Sequence, residues 1–595
     1  MNTRAVAALA LALLWYLGLF GRVYWTPDEP REAALAVSVS KHPAALPSLA
    51  GVHFAEKPPL TYWLAGASMK LFGPGPAATR LPQLFYAILA FMAVATLAGS
   101  LLGNDSKAPA VALAAGMLFA TSELVYQVQI WLDTDALLLV GVCIALTGMC
   151  VGLGVAGHGA VARHARLRGY LVMHAGLTLA FFAKNFAAWL VPVLAFLCFI
   201  AWERRWRELL RWEFYLGALL PLVCIALWVK AVASMPDGAH SLRVLFWNNL
   251  VGRAVPVAAE AQFNYSSGHR NWFGRYFVEL PLDLLPWTAL AFYALKGAWR
   301  GGRVAGPRRA AWRFALCTAL PGLIVLSLAA TARSIYAAPC MIGFMLLIAL
   351  WIADSTGGRA NATAVRRALS ITALLIALWA AIVLAGTIAL QWTVASANWP
   401  VFATSALAAA AVAVWSLRQC FGYANAGAGK AAATLSLQLA AAWALLLSLG
   451  VLSLFDAMNR SQDLAAMAAR VIKTAESRPL LLWSPDETTR AWAQLYLPAD
   501  HWSVVDGADP AAADKVAQRL RIAPATTVVS MIPGGGWSRT AWLDYLLGRA
   551  GAAGLTEPDG VSEPALRGAG LAATAQVERP GGRGYILWQQ TRILQ

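Results

Sequence analysis

Charge is scarce in this sequence. Asp, Glu, Lys and Arg make up 13% of its 595 residues, whereas 59% are hydrophobic. That balance excludes an ordinary soluble globular chain and a disordered one, and it places the sequence among polytopic membrane proteins. Cysteine is sparse too. The seven present (143, 150, 198, 224, 317, 340 and 420) lie in or at the ends of apolar stretches, form no Cys-x-x-Cys pair, and are absent from 457–595. Neither a disulfide framework nor a thiolate metal site follows. A phosphate loop is missing as well, because Gly534-Gly535-Gly536 follows an apolar run but lacks the Lys-Ser/Thr that such a loop requires. This argues against an ATP-driven pump and against a nucleotide cofactor. No small-residue cleavage site ends the first apolar segment, where Tyr24 and Trp25 follow instead, so that segment reads as an uncleaved span.

What is abundant is apolar length and tryptophan, with 26 indoles suited to membrane–water interfaces. With about 20 residues per span as the ruler, thirteen spans are expected, near 5–22, 79–102, 108–127, 134–156, 169–183, 186–202, 214–233, 281–299, 313–330, 336–353, 367–390, 401–417 and 432–455. The net charge of +17 needs no nucleic acid, and no nucleic-acid motif accompanies it. Its Arg residues cluster in four short loops (163–168, 204–211, 300–313 and 359–367) that share one side on this count, the cytoplasmic side by the positive-inside rule. Acids lean the other way: 12 of the 17 in residues 1–456 fall at the outer ends of spans or in outer loops.

The densest outer charge is in the first loop. Trp25-Thr26-Pro27-Asp28-Glu29-Pro30-Arg31-Glu32 is followed by Phe54-Ala55-Glu56-Lys57-Pro58-Pro59-Leu60. Leu60–Phe72 is apolar but too short to span, and reads as an interfacial helix starting after the two prolines. Asp133 and Asp135 flank Thr134 at the mouth of a span, where carboxylates are costly. Lys184 sits between aromatic stretches, where snorkelling would explain it, although acids at the same depth make an ion-pair or anion-binding role competitive. His269 lies in an aromatic outer loop, 234–280, and Arg333-Ser334-Ile335-Tyr336 forms a short outer turn. Residues 457–595 have nearly balanced charge. Strands are expected at Leu480–Trp483, Trp502–Val505, Thr526–Ile532 and Tyr585–Gln589, with helices near 461–476, 486–495, 510–520 and 539–549. The sequence thus divides into a transmembrane part, 1–456, and a small outer α/β domain, 457–595.

The first-loop order, an Asp-Glu pair, then Glu-Lys-Pro-Pro, then Leu60-Thr61-Tyr62-Trp63, resembles the bacterial aminoarabinose transferases of lipid A. Those enzymes are integral-membrane GT-C glycosyltransferases, grouped with the protein O-mannosyltransferases. Leu132-Asp133-Thr134-Asp135, Phe182-Ala183-Lys184-Asn185-Phe186, His269 with Trp272-Phe273, and Leu284-Leu285-Pro286-Trp287 are similar to further motifs of that family. The chain departs from it at Pro30, at Arg333 in place of a lysine, and in lacking a proline after His269.

The resemblance implies a polytopic α-helical GT-C-like protein of the bacterial inner membrane, with its active site and C-terminal domain on the periplasmic side. It implies transfer of a sugar from an undecaprenyl phosphate carrier to a lipid or glycan acceptor, such as 4-amino-4-deoxy-L-arabinose to a lipid A phosphate. Asp28 and Glu29 would be catalytic. Lys57, Arg31, Lys184, Arg333 and Tyr336 would bind the donor phosphate. Asp133, Asp135 and Tyr62 would support the sugar or acceptor, and Glu56 with His269 could hold a divalent metal. Transfer to another glycan or a protein, or a flippase for lipid-linked sugars, are the alternative readings.

Overall fold

The computed structural model describes residues 3–590 except 106–107, 156–160, 252–271, 301–302, 307, 330–332, 355–358, 394–398, 423–429, 508, 533–562 and 580–582. Among the described residues, nine helices are long and apolar enough to cross a membrane. Two bent pairs, Ala108–Thr121 with Glu123–Ile130 and Arg275–Asp283 with Thr288–Trp299, raise the number to eleven if each pair is one span. Thirteen is therefore not reproduced, for two physical reasons. The first apolar helix, Thr3–Leu19, is only 17 residues long. The expected fifth and sixth spans form one apolar run, Arg163–Trp202, broken where Asn185 turns to a positive φ of 57° and a 3-10 turn covers Asn185–Trp189.

The four basic loops do share one end of the bundle, because ion pairs chain them together. Arg166 reaches Glu213 at 3.8 Å, Arg313 reaches Glu203 at 2.7 Å, and Arg308 joins Asp354 at 2.7 Å and Asp105 at 2.8 Å. The first loop is gathered at the other end.

One helix pair matters most for the site. Asp135–Leu153 runs against Arg163–Lys184, so that Asp135 at the start of one meets Lys184 at the end of the other. Their backbones approach through glycine. A Cβ at Gly148 would lie 2.3 Å from the Met173 nitrogen, one at Gly176 2.3 Å from the Ala145 nitrogen, and one at Gly169 2.2 Å from the Gly152 nitrogen. Small residues at such spacing are how membrane helices pack when no hydrophobic drive separates helix from lipid.

The first loop is more structured than its charge suggests. Asp28–Lys41 is a helix, Ser48–Leu49 and Val52–His53 pair as a short hairpin, and the interfacial helix covers Leu60–Phe72 as expected. Farther on, a five-stranded sheet orders its strands Trp502–Val505, Leu480–Trp483, Thr527–Met531, Arg583–Gln590 and Leu571–Arg579, the first three mutually parallel and Arg583–Gln590 antiparallel to both its neighbours. Leu480, Leu482 and Val529 face one apolar layer with Trp492 and Met467, while Leu481 and Val528 face another with Val516 and Leu520. The sheet is thus covered by helices on both faces. Strand Leu571–Arg579 was not expected from the sequence, and the expected helix near 539–549 lies outside the described residues.

Candidate active site

Helix geometry separates Asp28 from Glu29. Neighbouring residues on an α-helix point about 100° apart, and here the two carboxylates enter different networks. Glu29 is fully buried and completely engaged. Arg22 grips it with two hydrogen bonds (2.7 and 2.8 Å), Arg80 adds a third (2.7 Å), and the amides of Trp25 and Leu132 each donate at 2.9 Å. Burial alone would raise its pKa. The two guanidinium groups more than reverse that and hold it at about 2, against an ordinary 4.5. Arg22 also lies over the Trp25 ring and Arg80 over the Tyr24 ring. Two arginines and one glutamate thus tie the first loop to the chain entering it and to the segment before Asp133.

Asp28 faces the other way, between two guanidinium groups. Arg31 Nη2 and Arg333 Nη1 each donate to its carboxylate at 3.2 Å. Arg31 also donates to Glu32 (2.9 and 3.2 Å) and to Glu487 (2.6 Å). The buried chain continues from Glu32 to Lys57 Nζ at 3.1 Å and from Lys57 to Asp133 at 2.6 Å. Asp133 in turn accepts from the Thr134 amide at 2.6 Å. Burial would push the Asp133 pKa up, but Lys57 and then Lys184 hold it well below the usual carboxylate range. Burial would likewise depress Lys57, and Asp133 with Glu32 carry it above its ordinary value instead. Tyr62 is buried beside this row; burial first, then the Glu32 charge, keeps its hydroxyl protonated far above pH 10. Alternating acids and bases of this kind keep charge ionised where single charges would neutralise.

Beyond Lys57 a cavity of about 460 Å³ opens. Glu56, Lys57, Asp135, Lys184 and Asn249 line its polar end, and Leu138, Val191, Val325, Leu326, Ile335 and Pro339 are among its apolar walls. Lys184 Nζ bonds both oxygens of Asp135 at 2.6 Å and lies 4.5 Å from the centre of the Tyr336 ring, which also faces the cavity. Phosphate-sized anionic chemistry at one end and hydrocarbon at the other is the combination this cavity can receive.

The sequence-derived candidates therefore divide into three. Lys57, Lys184, Asp135, Glu56 and Tyr336 line the cavity, and Asp28, Arg31, Arg333, Asp133 and Tyr62 form the charged rim and its support. Glu29 stands apart, saturated by Arg22 and Arg80. His269 lies outside the described residues. Glu56 sits at the polar end, where Arg31 is within electrostatic reach of it and the Asn249 amide donates to its backbone carbonyl. Among the described residues no group of three or more His, Cys, Asp or Glu is placed to hold a metal ion, and the expected Glu56–His269 pair lies partly outside them. Sequence reasoning passed over Arg22, Arg80 and Glu487. The first two stood at a membrane boundary beside aromatic residues, which was a usable signal; Glu487 gave none.

The fold and this rim define an integral-membrane helical protein with a charged rim beside an apolar cavity. Comparison with known proteins narrows it. Residues 56–229 match the family described as dolichyl-phosphate-mannose-protein mannosyltransferase. The chain is 28% identical, over 60% of its length, to the undecaprenyl phosphate-alpha-4-amino-4-deoxy-L-arabinose arabinosyl transferase of Edwardsiella ictaluri. It is also 28% identical, over 58% of its length, to the enzyme of that name from Pseudomonas aeruginosa strain UCBPP-PA14. The matches span about 60% of those relatives' own lengths. In three dimensions the chain has the fold of an ArnT from Cupriavidus metallidurans, solved bound to undecaprenyl phosphate. The TM-score is 0.65 at 16% identity, over 98% of this chain and 97% of that one. The chain therefore resembles the GT-C glycosyltransferases and, within them, the aminoarabinose transferases.

Proposed function

We propose that the protein is a glycosyltransferase of the bacterial inner membrane that moves a sugar from undecaprenyl phosphate to an acceptor at the periplasmic face. The sugar that its relatives' names support is 4-amino-4-deoxy-L-arabinose, and the matching acceptor is a lipid A phosphate. The observation that carries this reading is the cavity that joins Lys57 and Lys184 to an apolar slot. The donor's phosphate sits at the lysines and the first isoprenoid units run along the apolar walls. An acceptor oxygen attacks the anomeric carbon, and the bond from that carbon to the phosphate oxygen breaks. Fixed positive charge stabilises the departing polyprenyl phosphate, which is where such charge contributes most.

Asp28, held between Arg31 and Arg333, faces the acceptor. It takes the proton when the acceptor is a hydroxyl, and orients the acceptor when it is an ionised phosphate. Glu29 is assigned a positioning role. Leaving-group stabilisation is assigned to Lys57 and Lys184. Residues 457–595 are read as a separate folding unit on the periplasmic side, although helix Lys430–Ser461 runs across its start.

The test is binding and transfer by the purified full-length protein. Lys57→Met and Lys184→Met each weaken undecaprenyl phosphate binding at least tenfold, and Asp28→Asn abolishes transfer while leaving that binding intact. Undiminished binding by both lysine variants refutes the reading.

A further inference from the structure

Arg31 takes part of its counter-charge from the far end of the chain. Its Nη1 lies 2.6 Å from Glu487, in the first turn of helix Glu487–Tyr496, which belongs to the C-terminal sheet region. That helix is fixed at its start and along its length. At its start, Asp486 caps it by accepting from the Thr489 amide at 2.8 Å, and buried Arg579 holds the same carboxylate at 2.8 and 3.0 Å. Tyr585 completes this cluster through Thr489 (2.9 Å) and Trp492 (2.9 Å). Along its length the helix lies on Asp28–Lys41. Gln494 donates to the carbonyls of Ala34 (2.7 Å) and Ser48 (3.2 Å) and accepts from the Ala50 amide (2.7 Å). Ala491, with no exposed surface, packs with Ala34, Leu35, Phe54 and Tyr62. Just before the sheet, Gln462 accepts from the Thr26 amide and hydroxyl, and Asn459 from the Val23 amide.

The Glu487 side chain is 49% exposed, so its ion pair adds little to stability. Its geometry is informative instead. Arg31 shares Nη2 between Asp28 and Glu32, and Nε goes to Glu32 as well. Nη1 is the end of the planar fork that faces Glu487. A guanidinium held at both ends keeps its plane, and that plane sets where the Asp28 carboxylate points.

We propose that Glu487 is a positioning residue for the transfer: by holding the Nη1 end of Arg31 it fixes the fork that orients Asp28, so the C-terminal unit completes the active site. This rests on the transferase reading, with Asp28 at the acceptor. It assigns the outer domain a task at the reacting centre and requires that the domain stay docked during turnover.

The test uses the full-length protein with Glu487→Gln, Glu487→Asp and each combined with Arg31→Lys. Glu487→Gln lowers kcat about tenfold, as a small misplacement of a reacting group does, while undecaprenyl phosphate affinity, donor KM and melting temperature stay at parent values. Glu487→Asp recovers part of the rate, and Glu487→Gln costs nothing further once Arg31 is lysine. An unchanged kcat, a loss that multiplies with Arg31→Lys, or a parallel fall in undecaprenyl phosphate affinity each overturns the inference alone. A parent protein that neither binds undecaprenyl phosphate nor transfers sugar overturns the transferase reading and this inference with it.

Discussion

Glu29→Gln changes one atom in a fully buried, fully engaged carboxylate. The parent group accepts five hydrogen bonds, three of them from two buried guanidinium groups. Glutamine supplies one acceptor oxygen and turns the other position into a donor aimed at Arg22 or Arg80, removing the carboxylate charge that faces both buried guanidinium groups. Breaking a buried ion pair from one side costs about 3–5 kcal/mol. Linkage gives a similar figure. Folding lowers the Glu29 pKa from 4.5 to about 2, and that difference is worth about 3 kcal/mol at neutral pH. Because the folded value is the lower one, this stability is fully present above pH 4.5 and is lost as pH falls towards 2. Thermal unfolding in detergent at pH 7, followed by intrinsic Trp fluorescence, reads the effect directly. Glu29→Gln melts well below the parent and yields less folded protein, whereas Asp28→Asn, which weakens two 3.2 Å ion pairs rather than five shorter hydrogen bonds, melts closer to the parent. Equal melting temperatures for Glu29→Gln and the parent, with only transfer lost, would refute the positioning role and return Glu29 to the chemistry.

Other expectations follow from the same geometry. Lys57→Arg fails to restore the binding lost in Lys57→Met, because a planar fork cannot reproduce the single point charge that Nζ places between Glu32 and Asp133; undecaprenyl phosphate titration checks this. Gly148→Leu or Gly176→Val forces the two glycine-packed helices apart and removes the Asp135–Lys184 contact, so folded yield and undecaprenyl phosphate binding fall together on size-exclusion chromatography and titration. Asp133 is held below the ordinary carboxylate range by Lys57 and Lys184 against the effect of burial, so its contribution is present above about pH 4 and is lost only in stronger acid. The acidic limb of a pH–rate profile between pH 5 and 8 is then not shaped by Asp133, and Asp133→Asn leaves the shape of that limb unchanged while lowering its height.

Much of the site could be read from the sequence because charge is rare there. In a chain so apolar, Lys57, Asp133, Asp135 and Lys184 stand out one by one, and the structure brings all four to one cavity and its rim. The interfacial helix Leu60–Phe72 was legible for a related reason: two prolines start it and it is too short to span. Helix Asp28–Lys41 was hidden by the inverse pattern. It buries Glu29, Arg31 and Glu32 along with its alanines, so no apolar stripe marks it. Sequence adjacency did not reveal that Asp28 and Glu29 enter different networks, because neighbouring side chains leave a helix in different directions. Glu487 was invisible because its role depends on docking across more than 450 residues, which no local pattern encodes. The span number drifted where hydropathy cannot tell a break from a loop, at Lys184-Asn185.

On the proposed function, Lys57 and Lys184 hold a polyprenyl phosphate whose sugar is transferred at the outer face with Asp28 at the acceptor. Mass spectrometry of lipid A tests it most directly, using cells that carry the intact protein, the Asp28→Asn variant, or neither. Lipid A species heavier by one aminopentose on a phosphate are expected with the intact protein alone. Identical lipid A spectra from all three, in cells that make the undecaprenyl phosphate-linked donor, would contradict it.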